Sequence, residues 1–392
     1  MSLIVSAEAA CAMDSSQHTK GFFAIPIELR RAVYAHLFDP AGGRHVQYMI
    51  GRDGVSHFRL TPCTAPPASD EEERLGQERN PEPTVLFAKG PVYKRRLLSS
   101  WGTHWICEEL ASFHSHEEAG DVESGSSSRN FSSALRVCKR MYLDLVDVVT
   151  TAADFHVTDL RTLKALLDNR ETAPAPFSFE GSICPRITRL SITLSLPLAF
   201  FQAVEAASLP SQDQERSSSS SNPGDNDDLR TWSHLLCSRL LIQLPRLRKL
   251  HVWLDHNCKD YWSVVNERAV LAPMEDLKTS NPTLELVCAL PKVHPQIEDR
   301  QRHYLPADEK EESLPSSRLE IHRFLRQRYR VVGNAETGDQ YIAYAQDFPH
   351  FVGHPIFDDM TLAEKERVEG AIWRAGVDVD RQYLNTVSFR LD

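Results

Sequence analysis

The chain has 392 residues, 41% of them hydrophobic, and a net charge of −10. That length holds one large or two modest domains with a real core, and the acidic balance argues against broad binding to nucleic acid or to an anionic membrane. Eight cysteines, from Cys11 to Cys288, are scattered without C-x-x-C or any metal spacing, which reads as reduced thiols of a cytoplasmic or nuclear protein.

Residues 1–20 are small and polar; they are expected to fray and carry neither a secretory nor a transit signature. No window approaches the run of apolar residues that a membrane span needs. From Phe22 to Phe38 the pattern predicts a short helix. Pro26 suits its first turn, where a missing N–H costs nothing. Leu29, Val33 and Leu37 then recur every fourth residue, with Tyr34 and Phe38 widening the stripe and Arg30 falling off it. Asp39-Pro40 and Gly42-Gly43 end the helix. Residues 44–50 and 55–60 flank Asp53-Gly54, a hairpin signal.

Three stretches, 64–83, 114–130 and 208–228, are rich in Pro, Ser and acidic residues. They bury too little apolar surface to offset ordering entropy and read as disordered inserts within one domain. Trp101 and Trp105 lie four apart, the spacing of one helix face, beside His104 and Cys107. An alternating series follows: a helix over 131–149, a strand over 153–157, a helix over 159–167 and a strand over 187–194. After the third insert it resumes with a helix over 229–244, a strand over 247–254, a helix over 261–274 and a strand over 283–289. Such alternation predicts an α/β fold: an irregular, mostly parallel strand-helix stack, weakly leucine-rich-repeat-like, with the N-terminal helix and hairpin at its start. Residues 291–392 are expected to form a mainly helical extension. Ser317-x-x-Glu320 predicts a cap before an arginine-rich helix over 322–330, with Arg323, Arg326 and Arg330 on one face. Thr361-x-x-Glu364 predicts a second capped helix, ending near Arg374 before Gly376.

Three of these segments carry a resemblance. Ile25-Pro26-Ile27-Glu28-Leu29-Arg30 with Val33-Tyr34 and Leu37-Phe38, then Ala134-Leu135-Arg136-Val137-Cys138-Lys139-Arg140-Met141-Tyr142, then Ala153-Asp154-Phe155-His156-Val157 are similar to the motifs of F-box-like fungal proteins with an uncharacterised domain. The likeness spans roughly 21–290 as a single domain. It implies a protein–protein interaction module in which Pro26, Leu29, Val33, Tyr34, Leu37 and Phe38 would face an adaptor of the Skp type. Only the first of a full F-box's three helices is visible; a hairpin takes the place of the rest. The alternative is the same fold with no ubiquitin-ligase link, its N-terminal helix serving only as core.

Catalytic patterns are absent: no G-x-S-x-G, no G-x-x-x-x-G-K-[ST], no H-E-x-x-H and no G-x-G-x-x-G. Cys138 falls on the apolar face of its helix and reads as a packed thiol. His350 and His354 with Asp347, Asp358 and Asp359 offer zinc-ligating side chains, but Gly353 and Pro355 break any helix that would align the imidazoles. His114 and His116 fall in an insert. The expectation is a non-enzymatic protein with no cofactor and no metal.

Overall fold

The computed structural model describes residues 21–38, 44–50, 56–62, 99, 101–105, 107–108, 139–168, 183–208, 232, 239–256, 258, 260–305, 319–333, 340–353, 357 and 359–379. After helix α1 (Ile27–Phe38) come strands β1 (Arg44–Ile50), β2 (Ser56–Pro62), β3 (Asp154–Val157), β4 (Arg189–Leu196), β5 (Lys249–His256), β6 (Glu285–Pro291) and β7 (Glu320–Phe324). They form one sheet in the order β2-β1-β3-β4-β5-β6-β7. β1 and β2 are the antiparallel hairpin that the Asp-Gly signal predicts; every other pairing is parallel. Apart from β2, the strands stand in chain order. Each crossover lays the next strand beside the last, which makes a stack rather than a doubly wound sheet.

Helices α2 (Lys139–Ala152), α3 (Leu160–Asp168), α4 (Leu198–Ser208), α5 (Leu240–Gln243) and α6 (Glu267–Ser280) run between the strands. Successive strand residues point to opposite faces. On one face Val46, Phe155, Leu190, Leu250 and Leu286 stand in register across five strands. They pack with Leu145, Leu163, Phe201, Val270 and Met274 of the helices into one continuous core. Each such side chain stabilises the fold by about 1.5–3 kcal/mol on burial. α6 begins later than its pattern suggests because Asn266 caps it, accepting the Ala269 N–H at 3.2 Å; the residues before it form a 3-10 turn, Trp262–Val264. α4 has no counterpart among the expected elements. Of the helix expected over 229–244, Trp232 and residues 239–244, which contain α5, are described. The stretches 1–20, 64–83, 114–130 and 209–228 lie outside the described residues, as does Cys138.

The C-terminal part overturns one expectation and fulfils another. The arginine-rich segment is not a helix: β7 is followed by β8 (Gln327–Gly333), which pairs antiparallel with β9 (Gln340–Gln346) in a separate two-stranded sheet. Glu320 opens a strand, and Arg323, Arg326 and Arg330 share no helix face. The sheet therefore does not end at residue 290, and the extension beyond it is not mainly helical. The physical reason is tertiary: buried carboxylates hold Arg323 and Arg326 with the chain extended, which outweighs local helix preference. α7 (Leu362–Arg374) does form as expected. Thr361 and Glu364 make the reciprocal capping box, and Gly376 ends the helix at φ +80°. Its N–H bonds to Trp373 O at 2.9 Å while Val377 N–H reaches Ile372 O at 3.2 Å, a Schellman closure.

Arg326 joins this C-terminal part to the sheet. It is 3% exposed. Its Nε donates to Asp255 Oδ1 at 2.6 Å and Nη1 to Asp347 Oδ2 at 3.1 Å and Asp260 O at 2.8 Å. Nη2 donates to the carbonyls of His256 at 2.7 Å and Cys258 at 2.9 Å. Asp347 in turn accepts the Trp262 N–H at 3.0 Å. Arg326→Met is expected to destabilise the protein by about 3–5 kcal/mol, since it strands two buried carboxylates; the urea unfolding midpoint at neutral pH measures this.

Candidate functional site

Two regions carry the candidate features. The first is α1. Pro26 stands just before it, its carbonyl accepting the N–H groups of Leu29 and Arg30, both at 3.1 Å. The helix is held from behind by a residue that the apolar stripe leaves out. Arg30, 3% exposed, donates to Asp144 of α2 at 2.9 Å and to the carbonyls of Phe23 and Ile25 at 3.1 and 2.8 Å. Tyr34 is wholly buried in the core, with Phe22 against its ring edge at 5.5 Å. Tyr34 thus faces inward and belongs to the domain's own packing, contrary to its assignment to an adaptor-facing set. Leu29 is 56% exposed and Val33 38%, so these two point to solvent from a neighbouring face, about 100° round the helix. The side chains of Leu37 and Phe38 lie outside the described residues. Arg31 pairs with Asp147 of α2 at the rim.

The second region is the face of the sheet turned away from the main core, and it too is covered: His156, Ser191, Thr193 and Trp253 are all buried. The register places Gln47, His156, Ser191, His251, Val287 and Glu320 in one row across six strands. Parallel sheets are ordinarily apolar on both faces; this one is polar on the second. Ser191 Oγ lies 3.3 Å from His251 Nδ1. Trp253 stacks on Phe324, ring centroids 5.0 Å apart. Trp101–His104 lies against the same face. The Trp101 ring is parallel to that of His156 at 6.1 Å, and His104 meets His156 edge-on at 5.6 Å. Trp101 and Trp105 do not share an α-helical face, because a 3-10 turn, Gly102–His104, separates them. Gly102, at φ +56°, is required here, since a Cβ would come within 2.8 Å of the Trp253 ring. At the margins, Arg189 pairs with Asp154 at 3.0 Å, Lys249 with Glu285 at 2.7 Å, and His322 with Glu320 at 2.8 Å.

Burial, then the neighbouring His104 and His322, pushes the His251 imidazole down to about 4, so it is neutral near pH 7. Among the described residues no carboxylate hydrogen-bonds to His251, so the Ser191–His251 pair lacks the orienting third group of an activated nucleophile. The row was not picked out in the sequence, although its signal is there. Residues 189–196 alternate polar and apolar with a period of two, and 249–252 continue it before Trp253 breaks the pattern.

The zinc candidates do not come together: Asp359 is exposed on a turn. Asp347 serves Arg326, His350 is buried 3.6 Å from Glu369, and His354 and Asp358 lie outside the described residues. No group of three or more His, Cys, Asp or Glu side chains able to hold a metal occurs among the described residues. No described helix is long and apolar enough to cross a membrane. The four cysteines described, Cys107, Cys184, Cys258 and Cys288, are not in disulfide bonds.

A mostly parallel strand-helix stack preceded by a helix and a hairpin defines an α/β domain. A family model, the domain of unknown function DUF7730, matches residues 15–303; the chain belongs to that family. Neither the curated proteins nor the solved structures contain a match to it.

The His251 environment sets a pH dependence. Its folded-state affinity for a proton is depressed below the ordinary 6.5. Between about pH 6.5 and 4 the unfolded chain therefore binds the extra proton, and stability falls as pH drops through that window. His251→Gln removes this contribution. The stability gap between wild type and variant is expected to shrink by at most about 3 kcal/mol from pH 7 to pH 4, as read from urea midpoints at each pH.

Proposed function

We propose that this protein is a non-enzymatic protein–protein interaction module, with α1 docking an adaptor of the Skp type. The observation that carries the reading is the division of α1. Arg30 and Tyr34 fasten the helix to the body, while Leu29 and Val33 remain outside. Hydrophobic side chains held outward at helical spacing on a fixed helix are the anchors that helix-in-groove recognition uses. Pro26 and the first turn bring the chain to that helix at a set angle. Its likeness to the opening motif of F-box-like fungal proteins supports the choice of adaptor.

The second reading is a DUF7730 domain without a ubiquitin-ligase link, in which α1 serves only the core. Burial of Arg30 and Tyr34 favours it, for half of the helix does face inward. A binding assay separates the two. Purified wild-type chain is titrated with a purified Skp-type adaptor beside a Leu29→Asp/Val33→Asp variant, both positions being exposed enough to accept the charge without unfolding. The adaptor reading expects wild-type binding and a loss of about tenfold or more in the variant. Equal affinity for both, or no binding by either, ends it.

A further inference from the structure

The entries to β4, β5 and β6 are one turn built three times. In Cys184-Pro185-Arg186-Ile187, Leu244-Pro245-Arg246-Leu247 and Asn281-Pro282-Thr283-Leu284 the N–H of the last residue bonds to the carbonyl of the first, at 3.3, 3.0 and 3.1 Å. Proline fixes φ at the second position, and Ile187, Leu247 and Leu284 anchor each turn in the core. The third position turns outward: Arg246 and Thr283 are exposed and Arg186 is partly exposed. Threonine serves there before β6, so the turn itself does not call for arginine.

The two copies that carry arginine stand side by side. Arg189 pairs in register with Lys249, and the N–H groups of Arg248 and Lys249 both reach Thr188 O, at 2.8 and 3.1 Å. Arg186, Arg189, Arg246, Arg248 and Lys249 therefore gather at the entry of two neighbouring strands, in a chain whose net charge is −10. Carboxylates reach part of this cluster. Asp154 takes Arg189 at 3.0 Å and Glu285 takes Lys249 at 2.7 Å; Asp147, already paired with Arg31, lies 3.8 Å from Arg186. Arg246 and Arg248 are both exposed, and neither has a carboxylate partner among the described residues. Gathering like charges works against the folded chain, so folding alone does not account for the pattern.

We infer that the entry of β4 and β5 is an interaction surface for a phosphorylated segment of a protein partner, with Arg246 and Arg248 holding the phosphate and Arg186 beside them. The guanidinium fork presents paired N–H donors to phosphate oxygens, and arginine clusters are a general means of reading phosphorylated motifs. The size of the cluster sets the class of partner. Neighbouring strands lie about 4.8 Å apart, so it is about 10 Å across, and Asp154 of β3 and Glu285 of β6 stand on either side. That is room for one phosphate group and its neighbours. A nucleic-acid backbone needs a longer run of cations to offset its evenly spaced charges. This surface does not involve α1, and the proposal stands apart from the adaptor.

The test uses the full chain and a fluorescent peptide with one phosphoserine among glutamates, followed by anisotropy at low salt beside the same peptide with unmodified serine. The expected result is binding of the phosphopeptide, weakened about tenfold or more when the phosphate is absent or in an Arg246→Gln/Arg248→Gln variant. An Arg246→Lys/Arg248→Lys variant keeps the charge without the fork and is expected to fall between that variant and the wild type; it also guards against reading an unfolded protein as a loss of binding. No binding by the wild type, equal affinity for the two peptides, or unchanged affinity in the glutamine variant overturns the proposal. Inorganic phosphate that displaces the peptide at the peptide's own affinity makes this a site for a free anion and overturns the protein partner. Tighter binding of a single-stranded oligonucleotide of the same net charge overturns it equally.

Discussion

A parallel sheet whose strands carry aliphatic side chains on one face and polar ones on the other must pack its two faces differently, and that constraint organises this molecule. Leu190, Ile192 and Leu194 of β4 point to the helices and leave Ser191 and Thr193 on the other side. β5 does the same with Leu250, Val252 and Leu254, but puts Trp253 beside His251 on the second face. With these aliphatic side chains on one side, helices α2 to α6 share a single core, and strand order can follow chain order without a reversal. The polar face is not left wholly to water. Trp101 and Gly102 cover His156 and Trp253, so that polar row is bounded by aromatic rings.

Charge does at the ends what apolar packing does in the middle. At the N-terminal end, Arg30 reaches Asp144 and two carbonyls in place of a leucine stripe. At the far edge, Arg323 and Arg326 bring β7 to Glu267 and Asp255. The arginine fork supplies several donors from one side chain and satisfies several carbonyl groups together. Such joints specify position more than they add stability, because desolvation offsets much of the Coulomb gain. The C-terminal helix follows the same logic, with Lys292–Glu366 at 2.7 Å and Arg374–Glu298 at 2.6 Å holding α7 to the segment after β6.

The parallel stack was legible in the sequence because it rests on local, periodic signals. The strand at 249–256 and the hairpin at 44–62 are alternations that need no tertiary knowledge, and the Thr361 cap and Gly376 stop declare α7 outright. What escaped was decided by long-range partners. Arg323 and Arg326 read as one helix face, since nothing in 322–330 reveals Glu267 or Asp255. Arg30 read as a solvent-facing residue, since its acceptor Asp144 is 114 positions away. Tyr34 counted as part of an outward stripe, yet it is the residue that turns in. α4 followed Pro197 without a periodicity strong enough to stand out. The surface proposed for a partner is accordingly smaller than the stripe implied: Leu29 and Val33, without Tyr34.

Strand order has a bearing on how the chain is made. From β4 to β7 each strand's new neighbour is the strand synthesised just before it, so emerging units can settle on a finished edge during translation. Until residue 326 leaves the ribosome, Glu267 and Asp255 lack the guanidinium groups that pair with them in the folded chain. Two acidic positions at the growing edge therefore wait for counter-ions from the same polypeptide, and Asp347 and α7 follow later still.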